Sequence, residues 1–272
     1  MLRFLIHAYS RIKWYLKLLF VFGRISLLSQ LEYRLNFIAG TCVEFAYMMI
    51  KLIYLVVVIR SGINVGFLTP QMVIMFVGTY IFMTGIWMLL SGVNSIPSQV
   101  LYGGLDLLMT KPGSLQFLQT FGKFDFGLAF PNVVVGTILI CIGWISAGIP
   151  ETFWVIAGFI IFIFSGILLT YVFTLIPALL IFFVTSISGV YTLFAALWDF
   201  NNMPMELYTK IVKQIGTFII PVFIITNWAG LFVLGKLSLF EKIWGFTVPV
   251  ILFLITRIMW VNGIRRYTSA NG

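Results

Sequence analysis

The sequence predicts an all-α integral membrane protein with six transmembrane helices, an N-terminal amphipathic helix at the membrane interface and an outer re-entrant element before the last span. The chain is 61% hydrophobic and only 9% charged, whereas soluble domains carry about 25% charged residues. Its mean hydropathy is +1.09, and several segments reach the roughly 20 apolar residues that a helix needs to cross a bilayer. No stretch carries enough charge to solvate a soluble domain. We therefore expect residues 35–272 to form a single transmembrane domain.

The N-terminal segment, residues 1–34, is basic throughout and interleaved with aromatic and aliphatic side chains. A membrane span does not accommodate so many charges, so we predict an amphipathic helix on the cytoplasmic face of the membrane. A cleaved signal peptide is less consistent with the sequence, because basic residues recur through the apolar part and no small-residue cleavage site follows. The basic residues are Arg3, Arg11, Lys13, Lys17, Arg24 and Arg34, against the single acidic Glu32.

Six apolar segments are predicted to span the membrane, and Pro177 is predicted to separate the fourth from the fifth because proline lacks the amide hydrogen of a continuing helix. The spans are 36–59, 71–90, 128–147, 153–175, 176–197 and 243–261. A further segment, 215–234, is apolar enough to be a seventh.

Seven spans would place the two basic ends of the chain on opposite sides, against the excess of Lys and Arg in cytoplasmic loops. The C-terminal end carries Arg257, Arg265 and Arg266. We therefore interpret 215–234 as a re-entrant element, broken at Pro221 and at the Asn227-Trp228 pair. The chain is expected to be a multi-pass protein of the cell membrane with both termini in the cytoplasm. Its net charge of +9 then reflects topology, and no nucleic-acid partner is expected.

The motifs of catalysis and cofactor binding are missing from the sequence. It contains no phosphate-binding loop, no H-E-x-x-H and no G-x-S-x-G, so no catalytic, metal or cofactor site is predicted in this chain. Glu44 and Lys51 stand out because both are charged and lie seven residues apart in the first span, on one face of a helix. Two interpretations remain open. The pair lines a polar pathway, or it stabilises packing against neighbouring helices, including those of a second subunit.

The inner loop, about 91–127, is the longest polar connection between spans. One interpretation is a solvated connector, and the other is a short docking helix that receives force from a soluble partner. In the second interpretation Leu105, Leu107 and Leu108 form an apolar face, Asp106 points outward and Pro112 ends the helix.

The run from Gly104 to Pro112 resembles the Gly-x-Leu-Asp-x-x-Leu-x-Lys-Pro element of bacterial permeases of type-two (ABC-2) ABC exporters. Two further stretches resemble segments of the same family in the same order. Met203–Tyr208 followed by Phe218–Phe223 is similar to the region before its last span, and Trp260–Tyr267 is similar to its basic tail.

This resemblance implies a permease without its own nucleotide-binding domain. Such a permease pairs with a second permease, identical or related, and is driven by a dimer of cytoplasmic ATPase subunits that hold ATP and Mg²⁺. The residues implied to couple to the ATPase are Gly104, Leu105, Asp106, Leu108, Lys111 and Pro112. The implied location is a bacterial plasma membrane, in contact with lipid. Two other interpretations remain: a scaffold or immunity protein that binds a partner or lipid, and a proton-coupled carrier using Glu44. The sequence leaves the substrate open among drugs, peptides and lipids.

Overall fold

The structure is a computed structural model that describes residues 2–62, 64–184 and 186–268, with side chains from residue 9 onward in those ranges. The described residues form twelve α-helices, joined by short 3₁₀ turns and one π-helical turn, and no β-strand. The helices are α1 Leu2–Glu32, α2 Arg34–Ser61, α3 Pro70–Leu89, α4 Ile96–Leu101, α5 Gly104–Met109, α6 Leu115–Phe121, α7 Phe126–Ser146, α8 Phe153–Leu179, α9 Ser188–Asp199, α10 Lys210–Gln214, α11 Val222–Val233 and α12 Leu239–Arg266.

Five of the described helices are long and apolar enough to cross a membrane, namely α2, α3, α7, α8 and α12, and a sixth span results if the bent pair α10–α11 is counted as one. This confirms the all-α membrane fold and places the first, second, third and last predicted spans within a few residues of their helices. We call the end of the bundle that carries residues 90–125 the loop end. The opposite end, which carries the turns 64–69, 147–152 and 234–238, is the far end.

The predicted helix break at Pro177 is wrong, and so is the fifth span at 176–197. Helix α8 continues through Pro177 to Leu179 and ends in a 3₁₀ turn at Phe182. Proline costs a helix one hydrogen bond, but buried packing around a membrane helix accommodates that loss, and Pro177 is buried here. The next helix, α9, has only 12 residues, which is too short to span a bilayer alone.

The chain nevertheless runs along α3 over residues 198–206, after α9. Trp198 stacks on Trp87 near the loop end of α3, with ring centroids 5.5 Å apart. Residues 201–204 border a small pocket together with Phe76 and Val77, nearer the start of α3. Glu206 packs against Gly66 in the far-end turn. Residues 198–206 therefore run along α3 from its loop end to its far end, mostly as an unwound stretch that follows α9.

Side chains of α11 hold the unwound stretch in place. Asn227 Oδ1 accepts a hydrogen bond from the Met205 amide at 2.9 Å. Thr226 Oγ1 donates to Asn201 Oδ1 at 2.8 Å. Irregular backbone at membrane depth is stable only where protein or water satisfies its polar groups. These contacts supply that partner for residues 201–205.

The bent pair α10–α11 contains the predicted re-entrant element, and it begins and ends near the far end. It bends by 102° between Ile219 and Val222. Near its start, Lys213 Nζ forms an ion pair with Glu206, which packs on Gly66. Just past its end, the Lys236 ammonium lies 4.9 Å from the centroid of the Phe67 ring. Both ends thus approach the same far-end turn, so the element enters and leaves on one side.

The predicted second break in this element, at Asn227-Trp228, is wrong, because both residues lie inside the continuous helix α11. Trp228 Nε1 donates to the Glu241 carbonyl of α12 at 3.1 Å. The pair therefore fastens the re-entrant helix to its surroundings instead of ending it.

Four glycines bring α3 and α7 into backbone contact. They recur seven residues apart on each helix, at Gly78 and Gly85 on α3 and at Gly136 and Gly143 on α7. A Cβ added at any of them would lie between 2.4 and 2.9 Å from an atom of the opposite helix, main-chain atoms included. Small residues at such intervals allow membrane helices to pack closely. The loop 90–125 therefore connects two helices, α3 and α7, that pack against each other at main-chain distance.

The helices α8, α11 and α12 pack into a second group, again around glycines. A Cβ at Gly166 of α8 would lie 2.5 Å from the Ile225 carbonyl oxygen of α11. A Cβ at Gly245 of α12 would lie 2.3 Å from the ring of Trp228. The buried aromatic and aliphatic core is continuous between this group and α3.

Candidate functional site

A chain of polar side chains crosses from α2 to the unwound segment at mid-depth. Lys51 Nζ donates to Asn202 Oδ1 at 3.2 Å, and Asn202 Nδ2 donates to Asp199 Oδ1 at 3.2 Å. The Lys51 ammonium also lies 3.5 Å from the centroid of the Tyr80 ring, halfway along α3. We call Lys51, Asn202 and Asp199 the polar chain. The polar chain thus connects the Lys51 ammonium to the Asp199 carboxylate through the side-chain amide of Asn202.

Glu44, the second charged residue predicted in the first span, is buried with 8% of its surface exposed. Its Oε1 accepts a hydrogen bond from Asn132 Nδ2 of α7 at 2.7 Å. The only ion pair within 4.0 Å among the described residues is Lys213–Glu206, so Glu44 and Lys51 do not touch. Their charges still act on one another through space. Glu44 thus fastens α2 to α7, whereas Lys51 faces the unwound segment.

The polar chain lies on an exposed face of the molecule. Asp199 and Asn202 are exposed, and small or polar exposed residues continue along α9 at Ser188, Gly189, Thr192 and Ala196. Neighbouring α2 is also largely exposed along its apolar length. Charged groups at membrane depth are stable only against protein or a water-filled cavity. This face, which we call the α2–α9 face, therefore requires a cover other than lipid.

The predicted coupling residues lie together at the tip of the loop end, in and after α5. Leu105 is completely buried, with 0% of its surface exposed, and anchors α5 to the bundle. Gly104, Lys111 and Pro112 are exposed, whereas Leu108 is half-buried. Gly103 takes the left-handed conformation, with φ of 75°, which turns the chain sharply between α4 and α5. The structure thus brings the six residues together in one short stretch, with Leu105 underneath it and Gly104, Lys111 and Pro112 at its surface.

The predicted details of this helix are wrong for Leu107, for Asp106 and for its end at Pro112. Leu107 is 67% exposed and points away from the bundle, while Asp106 is half-buried and faces Tyr267 beyond α12. Helix α5 also ends at Met109, before Pro112. Burial, together with the neighbouring Asp106 carboxylate, raises the pKa of Tyr267. The tip therefore exposes apolar side chains outward and turns its carboxylate toward the C-terminal tail.

Helix α1 lies along the second half of the loop, as a contact the sequence did not indicate. The Tyr15 hydroxyl accepts from the Ser114 amide at 3.1 Å. Gln30 bonds the chain on both sides of Asp125, donating to the Phe124 carbonyl at 2.5 Å and accepting from the Gly127 amide at 3.1 Å. The segment 113–127 is thereby fixed to α1. The location of α1 at a membrane surface stays a prediction.

Two polar residues of the site were missed by sequence reasoning, Asp199 and Asn202. Their signal was present in the run Asp199-Phe-Asn-Asn-Met-Pro204, which interrupts an apolar region with polar residues. Net charge gives no reason to single it out, because Asp199 and Glu206 are balanced by Lys210 and Lys213 in the same region. In the described part of the chain, no group of three His, Cys, Asp or Glu side chains is positioned to hold a metal ion.

Fold and site together define a helical multi-pass membrane protein with charged side chains at membrane depth and a polar loop at one end. Comparison with protein families specifies the class. The chain belongs to the ABC-2 family transporter proteins, whose model matches residues 45–271. This confirms the predicted family and makes the chain a transmembrane permease. Neither the curated proteins nor the solved structures gave a match.

Proposed function

We propose that this chain is the membrane-spanning half of an ATP-driven exporter, and that it couples to separate ATPase subunits through the tip of its loop end. The observation that carries the proposal is the exposed apolar tip, where Tyr102 is 83% and Leu107 67% exposed. Large apolar side chains exposed beside charged ones are typical of a protein-binding surface. ATP and Mg²⁺ would be held by the partner.

The attachment of the loop that carries the tip to α3 and α7 supports force transfer. The loop joins α3 to α7, which contact one another through four glycines at main-chain distance. Within the loop, Gln119 Nε2 donates to the Gly92 carbonyl at 3.0 Å and to Ser95 Oγ at 2.8 Å, which binds its two halves together. A push on the tip is therefore transmitted to a close-packed pair of helices.

The charge distribution supports a cytoplasmic loop end. Basic residues are more frequent in cytoplasmic segments. The loop end carries Arg11, Lys13, Lys17, Arg24, Arg34, Lys111, Lys123, Arg265 and Arg266 against Glu32, Asp106 and Asp125, whereas the far end carries Arg60, Lys210, Lys213, Lys236 and Lys242 against Glu151, Glu206 and Glu241. Helix α1, from Trp14 onward, and the C-terminal Tyr267 both contact the loop end, next to the proposed ATPase site.

The α2–α9 face supports pairing with a second permease. Its polar chain is exposed at membrane depth, and a second copy of the face, or a related one, would cover it while leaving a polar path between the two subunits. Glu44 serves packing in this arrangement, through Asn132, and Lys51 lines the path. In this proposal the packing interpretation applies to Glu44, and the pathway interpretation applies to Lys51.

The coupling proposal is tested by purifying the tagged full chain from its native membrane and identifying and assaying the ATPase retained with it. Leu107→Asp should abolish ATPase retention, because a charge replaces an exposed apolar contact. Leu239→Asp is the matched control, since Leu239 is equally apolar and 74% exposed but lies at the far end. Retention by Leu107→Asp at the wild-type level, or no ATPase with the wild type, would overturn the proposal.

The pairing proposal is tested by disulfide cross-linking in a chain freed of its two native, exposed cysteines. Leu193→Cys, exposed on α9, should cross-link to a second permease, and the mass of the product distinguishes an identical from a related partner. Ile255→Cys, exposed on α12, is the control and should stay monomeric. Equal cross-linking at the two positions contradicts the assignment of the interface.

A further inference from the structure

A large apolar cavity opens between the two helix groups near the loop end, away from the polar chain. It has a volume of about 840 Å³, within the range of about 300–1,000 Å³ of small-molecule sites. Its walls come from the end of α3, from α6, from the middle of α8 and from α12. They are nearly all aromatic or aliphatic, and include Leu89, Phe117, Phe121, Leu168 and Phe253.

One cation, Arg257, lies in this otherwise apolar wall. It donates a hydrogen bond to Gln116 Oε1. Gln116 in turn donates to the Tyr171 hydroxyl at 2.8 Å, and that hydroxyl is 3.1 Å from Thr120 Oγ1. Gln116 and Thr120 are buried. The guanidinium is therefore held by a built polar cluster at the cavity wall.

The guanidinium lacks a counter-ion. Among the described residues no carboxylate lies within 4.0 Å of Arg257, and the bond to Gln116 is its one hydrogen bond. A guanidinium carries five donors in a fork that suits a phosphate or carboxylate. Arg257 also lies nine residues before Arg266, the last residue of α12. At the helical rise this places Arg257 about 14 Å along the helix axis from the loop end of α12. An unpaired cation within the apolar length of a span is costly.

The surface beside the mouth of the cavity is apolar. Phe164 borders it and is 64% exposed. The exposed residues along this side of α8 and α12, such as Ile160, Ile161, Leu254 and Ile258, are apolar. A molecule entering from this side has alkyl chains, and a molecule that satisfies Arg257 has an anionic group.

We propose that this cavity is a binding site for an anionic membrane lipid, with an acyl chain in the apolar pocket and the phosphate on Arg257. Gln116 and Tyr171 orient the guanidinium and do not themselves contact the lipid in this arrangement. The inference does not depend on ATP coupling, because the site is formed by this chain alone.

The test is the thermal stability of the purified full chain in detergent, titrated with dioleoyl phosphatidylglycerol, with dioleoyl phosphatidylcholine or with glycerol phosphate. The anionic lipid should raise Tm in a saturable manner, while the zwitterionic lipid and glycerol phosphate should not. Arg257→Gln should raise the half-saturating concentration of the anionic lipid at least about tenfold, as expected for loss of a charge-assisted hydrogen bond. Arg257→Lys keeps the charge and should retain part of the response.

Arg265→Gln is the control, because it removes a neighbouring positive charge outside the cavity and should respond as the wild type does. An equal response to phosphatidylcholine would show that the headgroup charge is not recognised, and a response to glycerol phosphate would identify a free-phosphate site. Either result overturns the proposal, as does an unchanged response in Arg257→Gln. If Arg257→Gln does not fold, Leu168→Trp, which fills the pocket, must abolish the saturable response for the proposal to stand.

Discussion

Gly136→Ala tests whether the backbone contact between α3 and α7 stabilises the fold. The new Cβ would lie 2.4 Å from the Phe82 amide nitrogen, 2.7 Å from its Cα and 2.8 Å from its Cβ. Ordinary contact begins near 3.4 Å, so the helices must separate locally by about 1 Å. The opposing atoms belong mainly to the backbone and cannot rotate away. Overpacking of this kind costs about 1–3 kcal/mol, which exceeds the roughly 0.5–1 kcal/mol that alanine gains over glycine in a helix.

A net loss of about 1–2 kcal/mol lowers Tm by about 2–8 °C at the usual 2–4 °C per kcal/mol for a chain of this size. The assay is thermal unfolding of the purified chain, followed by tryptophan fluorescence. Gly40→Ala on α2 is the control, since its Cβ would meet only the Leu128 side chain, at 3.4 Å, and should leave Tm unchanged or slightly higher. A Gly136→Ala chain as stable as the Gly40→Ala chain would refute the reasoning.

Three further predictions concern the polar contacts. Gln30→Leu leaves the Phe124 carbonyl without its partner on α1 and should speed amide hydrogen exchange over 113–127, while exchange in α8 stays unchanged. Asn202→Cys, in a chain without native cysteines, should react with a membrane-impermeant thiol reagent, whereas the exposed, lipid-facing Leu254→Cys should not; equal labelling would contradict a polar path. Asn227→Leu deprives the unwound segment of an acceptor and should destabilise the chain by about 1–3 kcal/mol, so an unchanged Tm would show that water satisfies that segment.

Sequence periodicity and hydropathy were sufficient for the spans that stand alone, because a helix such as α2 or α7 is bounded by polar turns. They failed where apolar residues run on without a turn. The stretch through Pro177 contains no polar turn, so the proline is the only boundary between helices that the sequence offers there. In the structure Pro177 is buried inside α8, and the helix continues past it. The unwound segment could not be predicted either, since its backbone partner Asn227 lies 22 residues away from Met205 in the chain.

The candidate site could be predicted only in part, because the sequence shows which residues are charged but not which neighbours surround them. Glu44 and Lys51 are visible in the sequence as charges in an apolar helix, but only the fold shows that Glu44 bonds Asn132 while Lys51 bonds Asn202. Arg257 was counted with the basic C-terminal end, because charge alone does not reveal how deep in a span a residue lies. The glycines of α3 and α7 show their heptad spacing in the sequence, but the partner of each pair follows only from the fold.

Helix α3 links the proposed ATPase contact to the polar chain. Its last residues lead into the loop 90–125, and Trp87 stacks on Trp198, immediately before Asp199 of the polar chain. Halfway along, the Tyr80 ring carries the Lys51 ammonium. A displacement of the loop that moves α3 along its axis would therefore act on both ends of the polar chain, on Lys51 through Tyr80 and on Asp199 through the neighbouring Trp198. Beyond α9 the segment 200–208 is unwound and is bonded to α11 through Asn201 and Met205, so a movement of α3 relative to α11 would act on that segment.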